Sequence, residues 1–172
     1  LSGRNTSGRV ARYGLLVALA LILSYVEAQI PPIFSVPGMK LGLTNVVVLI
    51  ALYTMGEGSA VTINLLRIVL VSLLFGNGMS MAYSVSGGLL SGIVMILLKK
   101  TGWFGITAVS VAGGVAHNVG QILAAMVLLG TRSIAWYLVV LWFSGLASGF
   151  VIGILSGELC RRLEAIDRRQ HP

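Results

Sequence analysis

The chain is poor in charge, in cysteine and in clustered carboxylates. Only 10% of its 172 residues are charged, against roughly 25% in a soluble domain. With a mean hydropathy of +0.95, that scarcity argues against an ordinary soluble globule and for a protein built for lipid. Cys160 is the single cysteine, which excludes an internal disulfide and a cysteine metal cluster. It precedes Arg161 and Arg162 at the end of the last apolar run, where an inert thiol and a lipidation site are the two readings. The only aspartate, Asp167, falls in the tail, so the clustered carboxylates of an Mg²⁺–diphosphate site are missing. His117 and the tail residue His171 cannot build a zinc site without acidic help. No glycine-rich loop is followed by the lysine of an ATP site. The sequence therefore predicts neither metal nor cofactor, and no catalytic centre.

What the chain does have is apolar sequence, 56% of it hydrophobic. Six apolar segments stand out, at approximately 12–30, 41–56, 58–76, 79–98, 103–129 and 134–158. Each approaches the ~20 residues that carry a helix across ~30 Å of hydrocarbon. The second is short and the fifth long, so tilt or a buried end has to absorb the difference. Brief glycine-containing links (Gly56 to Gly58, Phe75 to Gly78, Lys99 to Gly102, Gly130 to Ser133) imply antiparallel neighbours. The expectation is an all-α integral membrane protein, a compact six-helix bundle forming one domain over 1–172. The net charge of +7 does not point to nucleic acid, because the basic residues sit at the ends of apolar runs. Nine of them, in the groups Arg4/Arg9/Arg12, Lys99/Lys100 and Arg161/Arg162/Arg168/Arg169, fall on one side of a six-span layout, against Lys40 and Arg132 on the other. This bias predicts that both termini are cytoplasmic and that the first segment is a retained span rather than a cleaved signal.

The link between the first two segments is unusual. It passes through Pro31, Pro32, Pro37 and Gly38, and crowds Glu27, Gln29, Lys40 and Asn45 together. Each proline locks φ and removes a donor. One reading is a stiff loop that lids a site; the other is a proline-shaped turn with charges at the water boundary. At 1.5 Å per residue, Glu27 lies about 22 Å into span 1 and His117, Asn118 and Gln121 roughly 21–27 Å into span 5, all in the outer half. Ser80, Tyr83, Ser84 and Ser86 of span 4 reach a similar level, as do Trp136, Tyr137 and Trp142 of span 6. Polar groups with aromatic walls are what a small-molecule pocket looks like. Three polar residues within five on a lipid-embedded helix need partners, either a ligand or neighbouring helices. Arg67 lies about 13 Å into span 3. It is expected to pair with Glu27, to bind an anion, or to bond carbonyls.

Small residues recur at helix-packing spacing. Gly145, Gly149, Gly153 and Gly157 form a stripe that reads first as packing within the bundle and second as a docking face. Gly14 and Ala18 form a shorter stripe at the inner end of span 1, the better candidate for docking another membrane subunit.

Five stretches resemble a known family. They are Leu23-Ser-Tyr-Val-Glu-Ala-Gln-Ile-Pro-Pro with the following Pro-Gly-Met-Lys-Leu-Gly-Leu-Thr-Asn, Asn64-Leu-Leu-Arg67 with Phe75-Gly76, Tyr83-Ser-Val-Ser-Gly-Gly88, and Val111 to Gln121. They are similar to the Gx transporter family, also labelled heptaprenyl diphosphate synthase component I. That family resembles in size and layout the S components of energy-coupling factor (ECF) transporters. The resemblance implies a bacterial cytoplasmic-membrane protein that binds a vitamin or related micronutrient from outside, beneath the span 1–2 loop. It also implies partners, a transmembrane coupling protein and two ATPases. The S-component docking motif is Ala-x-x-x-Ala; Gly14-x-x-x-Ala18 departs from it at the first position. On these grounds the expected substrate-binding residues are Glu27, Gln29, Lys40, Asn45, Arg67, Tyr83, Ser86, His117, Asn118 and Gln121. Gly14 and Ala18 are the expected docking residues. A non-catalytic accessory to heptaprenyl diphosphate or quinone synthesis is the alternative. A secondary transporter coupling protons through Glu27 or His117 is a third reading.

Overall fold

Helices form where the sequence concentrates its apolar residues, but they differ in length and burial. The computed structural model describes residues 2–29, 42–75 and 78–170. In chain order the helices are α1 (Ser2–Gln29), α2 (Asn45–Thr54), α3 (Glu57–Phe75), α4 (Gly78–Thr101), α5 (Ile106–Leu129) and α6 (Tyr137–Gln170). A 3-10 turn, Arg132–Trp136, precedes α6, and no strand occurs among the described residues. Five helices, all but α2, are long and apolar enough to cross a membrane. The chain is an all-α integral membrane protein. Tight links are made by glycines in left-handed conformations, Gly56 (φ 93), Gly102 (φ 70) and Gly130 (φ 62), which side chains rarely tolerate.

The second segment shortens to ten residues, about 15 Å of helix, half of the hydrocarbon thickness. Its residues Val46 to Leu52 are all buried. A helix apolar on every face belongs in a core, and α2 occupies the middle of the bundle, packed against α3 and α6. At its C-terminal end the Lys99 ammonium donates to the Leu52 carbonyl at 2.6 Å and lies 5.1 Å from the centre of the Tyr53 ring, a favourable place for a cation on a helix dipole. Lys100 pairs with Glu57 at 3.0 Å, and the Tyr13 hydroxyl donates to Ser59 at 2.7 Å. These contacts gather the early part of α1, the end of α2, the start of α3 and the end of α4 at one end of the bundle. Ile106 against Gly157 brings α5 and α6 to it as well. At the opposite end of α2, the Ser24 and Thr44 hydroxyls share a hydrogen bond of 2.9 Å. Ser24 is eleven residues beyond Tyr13, or about 16 Å along α1. The central helix therefore starts near half-height.

The α4–α5–α6 side is closed by glycine. A Cβ on Gly149 would stand 2.7 Å from Val111 Cα, and one on Gly153 2.7 Å from Thr107 Cα. On the other flank of α5, a Cβ on Gly120 would stand 2.7 Å from the Ser86 carbonyl oxygen. Backbones approach this closely only where side chains are absent. The Gly145–Gly157 stripe is thus bundle packing. By contrast, α1 packs on α3 and touches α2, burying Ala20 while leaving Leu15 70% and Ile22 59% exposed.

Candidate functional site

Above the first turn of α2 the interior changes from apolar to polar. On α1, the carboxylate of Glu27 is half-buried and accepts the Gly42 N–H at 2.5 Å, tying the end of α1 to the approach to α2. Gly42 has φ +74, and a Cβ there would stand 3.2 Å from the Asn45 amide nitrogen, so both backbone and space call for glycine. Asn45, the first residue of α2, is half-buried beside it.

On α3, Arg67 donates through Nη2 to the Asn64 side-chain oxygen at 2.8 Å, and Asn64 donates in turn to the Gly88 carbonyl of α4 at 3.2 Å. Nε of Arg67 is buried and has no hydrogen-bond partner. Arg67 lies ten residues above Glu57, about 15 Å up α3, near the level of the α2 start. The expected Glu27–Arg67 ion pair is not formed, since each group is held by a neutral partner on its own side. The two still act on one another electrostatically. Asn64 is a member of this cluster that sequence reasoning left out of the site. Its spacing of three residues before Arg67, one helical turn, was the available signal.

On α5, His117 and Gln121 face Gly87 of α4; a Cβ at Gly87 would stand 2.8 Å from the His117 carbonyl oxygen and 2.9 Å from Gln121 Cγ. Gln121 is buried and its Oε1 has no hydrogen-bond partner. Asn118, one residue round the helix, points the other way and donates to the Leu141 carbonyl of α6 at 2.5 Å. Its amide nitrogen is thereby engaged as an α5–α6 crosslink. Tyr83 and Ser86 are half-buried on α4, and Gln29 is exposed at the end of α1. Lys40 lies outside the described residues. The structure thus brings Glu27, Asn45, Arg67, His117 and Gln121 to neighbouring levels and turns Asn118 toward α6.

Two hollows flank this layer. A cavity of about 140 Å³ lies between α2, α3 and α4, with Val48, Leu52, Asn64, Gly88 and Gly92 in its wall. A larger open trough of about 820 Å³ runs along Ala108, Ala112, Val115 and Val119 between Leu90 and Phe150, an apolar surface suited to lipid chains. Gly14 and Ala18 are exposed on α1, with nothing within 4 Å of a Cβ built at Gly14. No group of three or more metal-ligating side chains occurs among the described residues.

A sequence model of the family described as heptaprenyl diphosphate synthase component I matches residues 16–159. The chain belongs to that family. The matched region runs from the early part of α1 to the end of the α6 glycine stripe, and so includes every candidate site residue except Gly14. No curated protein and no solved structure matches the chain.

Proposed function

We propose that the protein is the substrate-binding membrane subunit of an ECF-type importer, holding a small molecule in the outer half of the bundle above α2. The observation that supports this most directly is the polar layer at mid-height. Arg67 and Gln121 keep buried hydrogen-bonding atoms without protein partners there, beside a central helix that rises only to that level. Buried polar atoms are costly unless something completes them. In this reading the energy for transport comes from partner ATPases, joined through a coupling protein that docks on the open face of α1. The decisive experiment is purification from native membranes, with native mass spectrometry for a retained small molecule and identification of co-purifying subunits. A bound molecule together with ATPase partners is the expected result. Uptake by the chain alone, driven by a pH gradient, would replace this reading with proton coupling.

The family description supports a second reading, an accessory membrane component of prenyl diphosphate synthesis. Faster prenyl transfer by a soluble partner on addition of the purified chain, with no retained small molecule, would favour it. In either case the basic end of the bundle faces the cytoplasm. A cysteine placed at Gly78 then labels from outside in intact cells and one at Lys99 does not; the opposite pattern would invert the topology.

A further inference from the structure

Resting on that binding reading, we infer that the molecule held above α2 is a small zwitterion, with its anionic end at Arg67 and its cationic end at Glu27. Arg67 stands in the middle of α3, and Glu27 lies two residues before the end of α1. Counted from the Tyr13–Ser59 contact, Glu27 stands about 21 Å and Arg67 about 12 Å up their helices; their charges cancel, yet they form no ion pair. Each is drawn aside by a neutral group, Glu27 by the Gly42 N–H and Arg67 by the Asn64 amide oxygen. Arg67 retains a buried Nε donor without a partner. Among the described residues Glu27 accepts through one oxygen, Oε1, from the Gly42 N–H, and its second oxygen is the acceptor for the cationic end.

Oppositely charged groups in a low-dielectric interior attract strongly unless geometry keeps them apart. Here the hydrogen bonds on either side supply that geometry. A molecule with a carboxylate or other acceptor for the guanidinium and an ammonium or N–H for the carboxylate completes both groups. It also leaves the membrane interior without net charge. A simple anion would satisfy Arg67 but add an uncompensated charge beside Glu27, and a simple cation would do the converse beside Arg67. Gln121, whose buried Oε1 also lacks a donor, suits the N–H side of such a molecule.

The test uses the protein purified from membranes, and the probe is the small-molecule pool released when it is denatured. That pool is separated by electrophoresis and identified by mass. The expected species is immobile near pH 7, cationic in acid and anionic in alkali. Its recovery per mole of protein should fall by at least about tenfold in Arg67→Gln and in Glu27→Gln. Melting curves establish that each variant is folded; Glu27→Gln still offers an oxygen to Gly42. Should Arg67→Gln fail to fold, Arg67→Lys decides in its place, since it keeps the charge but loses the Nε donor, and the same fall is expected. A released anion that depends on Arg67 but not on Glu27 would overturn the zwitterion and leave the binding reading standing. A released species indifferent to both substitutions would overturn this site. Release of nothing from the unsubstituted protein would overturn both the inference and the reading beneath it.

Discussion

The same small-residue spacing has opposite outcomes on α6 and on α1. On α6, Gly145, Gly149 and Gly153 lie against α5 so closely that an added Cβ would overlap backbone or Asn118 atoms. On α1, Gly14 meets nothing and Ala18 is exposed. A four-residue repeat of small residues therefore says only that a backbone is able to come close, not which one. What decides is the neighbour. α5 carries a matching glycine at Gly114, where an added Cβ would stand 2.7 Å from the Gly145 carbonyl oxygen, whereas α1 meets α3 through contacts such as Tyr13 to Ser59.

The largest expected effect tests the closed side. Gly149→Leu should abolish the folded protein, because its side chain has to enter the Val111 backbone. Even Gly149→Ala should lower stability by about 1–3 kcal/mol, the usual range for overpacking. Thermal unfolding in detergent measures both. If Gly149→Leu melts normally, α5 and α6 do not form the contact described.

Within the closed side, Asn118 and Gln121 sharpen the comparison further. Asn118→Ala removes the donor to Leu141 and should cost about 1–3 kcal/mol of stability, leaving any ligand affinity nearly unchanged. Gln121→Leu removes an unsatisfied buried oxygen. It should leave stability level or higher while weakening the retained molecule. Measuring melting and retention on both variants separates crosslink from site; equal loss of stability in both would make Gln121 scaffold too.

A smaller effect is expected at the inner end of α2. Lys99→Met leaves the Leu52 carbonyl without its ammonium donor and removes the charge over Tyr53. Lys99 is only half-buried, so the loss should be about 1 kcal/mol. No change in the melting curve would mean that α2 is held by packing alone.

Much of this architecture was legible in the sequence. Apolar length marked six spans, of which five form helices long enough to cross a membrane, and the scarcity of charge marked the membrane. The half-height α2 was visible only as a segment noted to be short. Its burial on every face depends on α3 and α6 surrounding it, which periodicity within one segment cannot reveal. Glu27, Arg67 and Gln121 stand out as candidates because polar residues deep in apolar runs are costly and so informative. Their pairings were not found. Whether Arg67 meets Glu27 or Asn64 is fixed by helix rotation, and Asn64, one turn away on the same helix, is the local competitor that takes the guanidinium. Asn118 enters the candidate set as one of three polar residues within five on a lipid-embedded helix, and its position about 100° round from His117 turns it to a different neighbour, α6.

The smallest effect on stability, and the sharpest test of the open side, is expected at Gly14. Gly14→Leu adds a side chain to a face where nothing lies within reach, and leucine has the better helix propensity by just under 1 kcal/mol. The isolated chain should therefore melt at the same temperature or slightly higher. A retained molecule should be unaffected, because Glu27 lies thirteen residues away, about 20 Å along α1. If the open face receives a coupling subunit through close backbone approach, that same substitution should abolish co-purification of the partner. Gly14→Ala, one methyl larger, should weaken it only partly. Loss of the partner with no loss of stability would make α1 the intermolecular counterpart of the α6 stripe. An unchanged complex in Gly14→Leu would mean that this face meets only lipid, and that the spacing on α1 carries no contact at all.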